Sequence, residues 1–195
     1  MKKVLFTFFS IFLTYQSIEL VKFIYNSNTA EFNWVVKLLL SFFLNLFVTG
    51  IFAFLGFVFK TNKIMPDAYY KIKNPKVLTK LYNTLGVKHF KVILLVAFWG
   101  KEKNKKRYFS GTKSGVENFD TQTRQSEFGH FAAFIAIFLI SFILIIKEDF
   151  ALFILINTIN TIANFYPIIL QRIHRMKIER VIKIMKPQNS TIQEI

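Results

Sequence analysis

Four long apolar stretches decide what this chain can become. They run over about residues 4–25, 34–59, 128–146 and 150–170. A helix needs about 20 mainly apolar residues to cross the hydrocarbon core of a bilayer. Inside that core each backbone N–H and C=O must find its partner within the protein, so single segments of this kind are helical. The last two stretches carry no charge, and the second carries only Lys37, near its start. The first is broken by Gln16, Glu19 and Lys22, which suits a helix end whose lysine reaches the interface. Lys2 and Lys3 before an apolar run also fit a secretory signal, but cleavage after Ala30 would put Asn28 where a small residue is needed. The predicted fold class is all-α: a polytopic membrane helical bundle with about four transmembrane helices, one membrane domain over residues 1–195.

The chain carries 26 Lys+Arg against 11 Asp+Glu, a net charge of +15. A basic, apolar chain is either a nucleic-acid binder or a membrane protein with its basic segments on one side. The charges decide between them by where they sit. Fifteen basic residues lie within 60–127 and six more follow Leu170. The connection 26–33 has only Glu31, and 147–149 has Lys147 against two acids. The positive-inside rule then predicts a multi-pass cell-membrane protein with the loop 60–127, the basic tail 171–195 and both termini cytoplasmic. Much of the charge reflects this topology and attraction to anionic headgroups. No zinc-finger, helix-turn-helix or RNA-binding pattern occurs, so membrane lipids are expected as partners and nucleic acid is not. The absence of cysteine excludes a disulfide scaffold and thiol catalysis. With only His89, His130 and His174 besides, no metal site is expected.

The basic loop has two halves. Within 67–100, Val77, Leu78, Leu81, Tyr82, Leu85, Val87, Phe90 and Val92 recur at a helical period, with Lys76, Lys80, Lys88 and Lys91 between them. That predicts an amphipathic segment lying on the membrane face. Residues 92–100 are an apolar run too short to span, able to dip into the bilayer and return. Residues 101–125 are polar and open with a basic run. They read either as a solvated linker or as a phosphate-contacting loop, although Gly111 to Gly115 lacks the spacing of a phosphate-binding glycine loop.

Polar groups within spans are expensive and face protein or water. Ser41, Asn45, Thr49, Ala53 and Gly56 form one small, polar stripe on the second span, read as helix packing. Glu127 and His130 open the third span, three apart and on one face. A histidine can take and return a proton near neutral pH, and a nearby carboxylate can orient its ring. The same pair also suits an ordinary helix N-terminus, where an acid complements the dipole. On the fourth span Asn157, Asn160 and Asn164 stay close to one face, continued by Gln171 and Arg175. Pro167 lacks an N–H and crowds the carbonyl of Ala163, which predicts a kink. Asn164, Tyr166, Gln171 and Arg172 would then surround a polar notch. An interfacial anchor of aromatic, proline and basic residues is the alternative, but it leaves the three asparagines unexplained.

Glu127-x-x-His130 and the string Asn164-Phe-Tyr-Pro167-Ile-Ile-Leu-Gln171-Arg172-Ile-His-Arg175 resemble the glycosyl-4,4'-diaponeurosporenoate acyltransferase family. The segment from Lys80 through Val87-Lys-His-Phe90-Lys91 resembles that family's basic, aromatic middle region. The likeness touches about residues 69–100 and 124–180. It implies transfer of a fatty acyl chain to the glucose 6-hydroxyl of a carotenoid glycoside.

On that reading acyl-CoA is the expected co-substrate, a glycosylated lipid the acceptor, and no cofactor stays bound. His130 would accept the hydroxyl proton and Glu127 would orient the imidazole. Asn164, Gln171 or Arg172 would donate to the developing oxyanion. Arg172, Arg175 and loop lysines would hold the donor's phosphates. Two rival readings are a small membrane lipid or prenyl methyltransferase and a non-catalytic membrane scaffold.

Overall fold

A computed structural model of the chain describes residues 1–96 and 113–185. Two long helices come first, α1 (Lys2–Asn26) and α2 (Trp34–Val58). Three short ones follow: α3 (Asp67–Tyr70), α4 (Pro75–Thr84) and α5 (Val87–Leu94). Then come α6 (Lys113–Ile146) and α7 (Phe150–Asn160), which passes through a π-helical turn at Thr161–Phe165 into α8 (Tyr166–Met185). No strand occurs among the described residues. Lys2–Asn26, Trp34–Val58, Ser114–Ile146 and Phe150–Ile184 are each long and apolar enough to cross a membrane. The chain is therefore all-α with four candidate spans, as its apolar stretches predict.

Two boundaries differ from the prediction. The third span's helix, α6, starts at Lys113, about four turns before the apolar run that announces it. Its polar first half is helical all the same, helped by an ion pair across one turn, Arg124 Nε to Asp120 Oδ2 at 2.8 Å. The fourth runs on to Met185, well past Leu170, so most of the predicted basic tail is helix. Instead of a bare kink, Pro167 is preceded by the π turn. A wider turn gives the proline ring room against the carbonyl four residues back. The 97–100 part of the short apolar run and residues 101–112 of the polar stretch lie outside the described residues, as does the tail beyond Met185.

The chain divides into two compact units, Met1–Tyr69 with Gln125–Ile168, and Tyr70–Arg124 with Ile169–Ile195. The first has a core of Ile24 from α1, Leu40, Leu44 and Val48 from α2, Ile137 and Leu144 from α6, and Leu152 and Ile156 from α7. α1 lies along α2, where Phe9 stacks on Phe54 with centroids 5.3 Å apart and Phe6 meets Phe57 at 5.2 Å. Gly50 leaves room for the tip of Leu13, whose Cδ1 would stand 2.5 Å from a Cβ there. The outward faces are as apolar as the core: Phe8, Ile11, Leu39 and Phe42 are all exposed. In a bilayer such faces meet acyl chains at no cost, so polar contacts and close packing must select the helix neighbours.

Polar contacts indeed join the helices. Asn33 caps α2 by accepting from Val36 N–H at 3.0 Å. Lys147, in the turn between α6 and α7, donates to the carbonyls of Tyr25 and Ser27 at 2.6 and 2.7 Å. Lys37 Nζ meets both oxygens of Asp149, at 2.9 and 3.1 Å, and both side chains are buried. Asp149 also caps α7 through Leu152 N–H at 3.1 Å. Burial pushes the Asp149 carboxyl up, but the Lys37 ammonium and the Leu152 N–H outweigh it and hold the group below its ordinary value.

The second unit contains the α4–α5 hairpin. Asn74 caps α4 by accepting from Val77 N–H at 3.2 Å, and Pro75 takes the first helical position, where its missing donor costs nothing. Gly86 turns the chain between α4 and α5 at φ 69°, a conformation other residues adopt with strain. Leu78 and Val87 are buried, as are Val116, Ile169, Leu170, Ile173 and Met176 of the same unit.

Candidate active site

Glu127 and His130 do not open a helix. With α6 starting at Lys113, both sit well inside it, beyond reach of a helix N-terminal dipole. The helix-end explanation for Glu127 therefore fails. Its side chain is 0% exposed, and a carboxyl in that position needs a reason beyond anchoring.

In the first unit His130 belongs to a hydrogen-bonded line that crosses three helices. Its Nδ1 lies 3.0 Å from Asn164 Oδ1. Asn164 Nδ2 donates to Asn160 Oδ1 at 3.0 Å, and Asn160 Nδ2 donates to the Phe134 carbonyl on α6, also at 3.0 Å. The Thr49 hydroxyl of α2 lies 3.1 Å from Asn164 Oδ1 and 3.0 Å from its Nδ2.

The direction of every bond follows from the far end. A backbone carbonyl can only accept, so Asn160 must turn its amide nitrogen toward Phe134. Its oxygen then faces Asn164 and can only accept from Asn164 Nδ2. That leaves Asn164 Oδ1 toward the imidazole, and an oxygen there accepts only from Nδ1–H. The neutral ring thus carries its proton on Nδ1 and its lone pair on Nε2. Among the described residues no protein group bonds Nε2, and the ring is half-buried. A base with its inner nitrogen fixed and its outer one open is what proton abstraction from a hydroxyl needs.

Two of the residues expected at the substrate are otherwise engaged. Asn164 is fully buried, and its amide is taken up by His130, Thr49 and Asn160. Arg175, in the second unit, is 1% exposed. Its Nε donates to the Tyr70 carbonyl at 3.2 Å and its guanidinium lies 5.1 Å from the Tyr70 ring centroid. The Arg124 guanidinium also approaches that ring, at 5.0 Å. Such a clasp is built for packing, and phosphate contact would first require breaking it. Gln171, Arg172 and His174 of the same unit are half-buried, with His174 5.7 Å from the Phe119 ring. Tyr166, in the first unit, is half-buried too. Among the described residues no three His, Asp or Glu side chains gather as a metal site would.

The polar stripe on α2 does more than pack. Ser41, Asn45 and Gly56 are buried, and Asn45 Nδ2 donates to the Ile156 carbonyl at 3.2 Å, as packing requires. Ala53 is exposed instead, and Thr49 joins the histidine line. Gly56 accepts from the Gln125 side chain through its carbonyl. Of the fourth-span asparagines, Asn157 bonds Ser141 Oγ at 2.9 Å. Thr49 and the Phe134 carbonyl carry no sequence signal of this role.

Residues 66–184 match the family model described as glycosyl-4,4'-diaponeurosporenoate acyltransferase. The matched span contains Glu127, His130, Asn160 and Asn164 but not Thr49 or Lys37. No curated protein and no solved structure matches the chain.

Proposed function

The chain belongs to the glycosyl-4,4'-diaponeurosporenoate acyltransferase family, and from that premise we propose that it works within the membrane, moving a fatty acyl group from acyl-CoA to a sugar hydroxyl of a glycosylated lipid at the cytoplasmic face. Acyl transfer in carotenoid glycoside modification is the family's chemistry. The donor, the setting and the residue roles are the reading offered here.

His130 Nε2 takes the proton of the sugar hydroxyl as its oxygen attacks the thioester carbonyl. The tetrahedral intermediate collapses, the C–S bond breaks, and the thiolate recovers the proton from Nε2. Asn164 holds Nδ1–H throughout, so the ring neither rotates nor changes tautomer between the two transfers. Glu127, one turn earlier on α6, favours the positive charge that the ring carries in between. Gln171 and Arg172 are the proposed contacts for donor phosphates, Arg172 through its fork of donors. The cytoplasmic side follows from the basic segments and from the aqueous acyl-CoA pool.

One observation carries this reading: Nδ1 of His130 is tied to Asn164 at 3.0 Å while no protein group among the described residues bonds Nε2. The test uses membranes containing the full chain, a glycosylated carotenoid and labelled acyl-CoA. Mass spectrometry of the lipid extract should find the acceptor heavier by one fatty acyl chain. Label entering instead from S-adenosylmethionine, or no acylated product from any acyl donor, would overturn it.

A further inference from the structure

The α4–α5 hairpin has two apolar rows. One, through Leu78 and Val87, is buried within its own unit. The other is not: Val77 is 52% exposed, Leu81 42%, Val92 56% and Ile93 64%. A helix pair that needed only to pack would expose polar groups there. An exposed apolar row of this kind marks an interaction surface.

The charges around it select the partner. Residues 68–96 hold six lysines, Lys71, Lys73, Lys76, Lys80, Lys88 and Lys91, and no aspartate or glutamate. Lys76, Lys80 and Lys88 are exposed on the same two helices as the apolar row. A second copy of the chain pairing through this face would oppose lysine with lysine, because a two-fold interface repeats the same patch. Protein interfaces are in general poor in lysine. A bilayer with anionic headgroups satisfies both features at once: acyl chains take the apolar row and phosphates take the ammonium groups.

We propose that the α4–α5 hairpin docks on the surface of an anionic phospholipid bilayer, with Val77, Leu81, Val92 and Ile93 inserted at the headgroup boundary. This is independent of the acyl-transfer reading, since it rests on no residue of the histidine line.

The chain has no cysteine, so one introduced thiol can be labelled uniquely. The full chain carrying Ile93→Cys, labelled with an environment-sensitive fluorophore, is reconstituted into vesicles of phosphatidylcholine with or without phosphatidylglycerol. With phosphatidylglycerol present, emission should shift to shorter wavelength and be quenched by a nitroxide-bearing lipid. An Asn83→Cys label, on the exposed polar side of α4, should instead be quenched by aqueous iodide. Changing Lys76, Lys80 and Lys88 together to glutamine should abolish the lipid quenching at position 93. A label at 93 that stays water-exposed in both vesicles overturns the proposal. So does one shielded from iodide yet untouched by the lipid nitroxide, which would mean a protein cover. Equal lipid quenching with and without phosphatidylglycerol overturns the assignment to anionic headgroups.

Discussion

Two polar clusters within the first unit end differently. Lys37 and Asp149 close on each other: the ammonium meets both carboxylate oxygens, and the same carboxylate caps α7. Nothing in that clasp is left to act on a substrate. The other cluster begins at an equally fixed point, the Phe134 carbonyl, and passes through Asn160 and Asn164. It ends on His130, whose outer nitrogen no protein group among the described residues takes up. Both clusters tie distant parts of the chain together, and each spends desolvation energy to do so. A cluster that closes is accounted for by architecture. One that ends on a titratable nitrogen is where the proposed chemistry sits.

Substitutions should separate the two. The largest expected effect is on the open cluster. His130→Ala should lower acyl transfer by about 10²–10⁴-fold, the usual worth of a positioned base, while the protein still inserts and melts as the parent does. Activity near the parental level in purified membranes would remove His130 from the mechanism. On the closed cluster the order reverses. Lys37→Met alone strands a buried carboxylate and should cost about 3–5 kcal/mol of stability, read from thermal melts in detergent. Adding Asp149→Leu should restore most of that loss, since a buried ion pair replaced by apolar groups is often neutral. Activity per folded molecule should stay parental in both. A double variant as unstable as the single one would mean that the clasp does more than close on itself.

Asn160→Leu tests whether the line is read in the right direction. It removes the donor to Phe134 and the acceptor for Asn164, so nothing sets which way Asn164 points. A loss of about 10–100-fold in transfer is expected, by analogy with the outer partners that orient metal-binding histidines. A structural role alone would lower the melting temperature without changing the rate per folded molecule. The smallest effect is the pH dependence of the clasp. Asp149 is held below its ordinary value, so its contribution is fully present above about pH 4. It is lost as pH falls through the lowered value. Melts of the parent should therefore drop on acidification below that point more than melts of the Lys37→Met, Asp149→Leu pair.

The helical class was legible because hydrophobic length leaves little choice once a segment lies in lipid. The start of α6 was not. Residues 113–127 have no apolar period and contain Gly115, so only a preference for continuing a helix already begun argues for them. Of the site, His130, Glu127 and Asn164 stood out as polar groups where such groups are costly. Their relation stayed hidden. Thr49 and Asn164 are 115 positions apart, and nothing local in either neighbourhood points to the other. Asn160 finds a backbone carbonyl, which has no residue identity to read. Lys37 and Asp149, 112 positions apart, looked like a charge at a span start and a charge in a turn. Arg175 differs in the opposite sense: arginine in a basic string suggests phosphate, and here its guanidinium meets the Tyr70 carbonyl and ring.

The tautomer of His130 is where the account stands or falls. In detergent or nanodiscs, with the histidines ¹⁵N-labelled and the His130 signals identified by comparison with His130→Gln, the ring nitrogens report which of them bears the proton. The expected spectrum has Nδ1 protonated and Nε2 bare in the neutral ring, and Asn160→Leu erases that preference. A neutral ring with its proton on Nε2 and a bare Nδ1 would contradict it, because Asn164 would then turn its amide nitrogen to the ring, out of the line anchored at Phe134, and Nε2 would be no base.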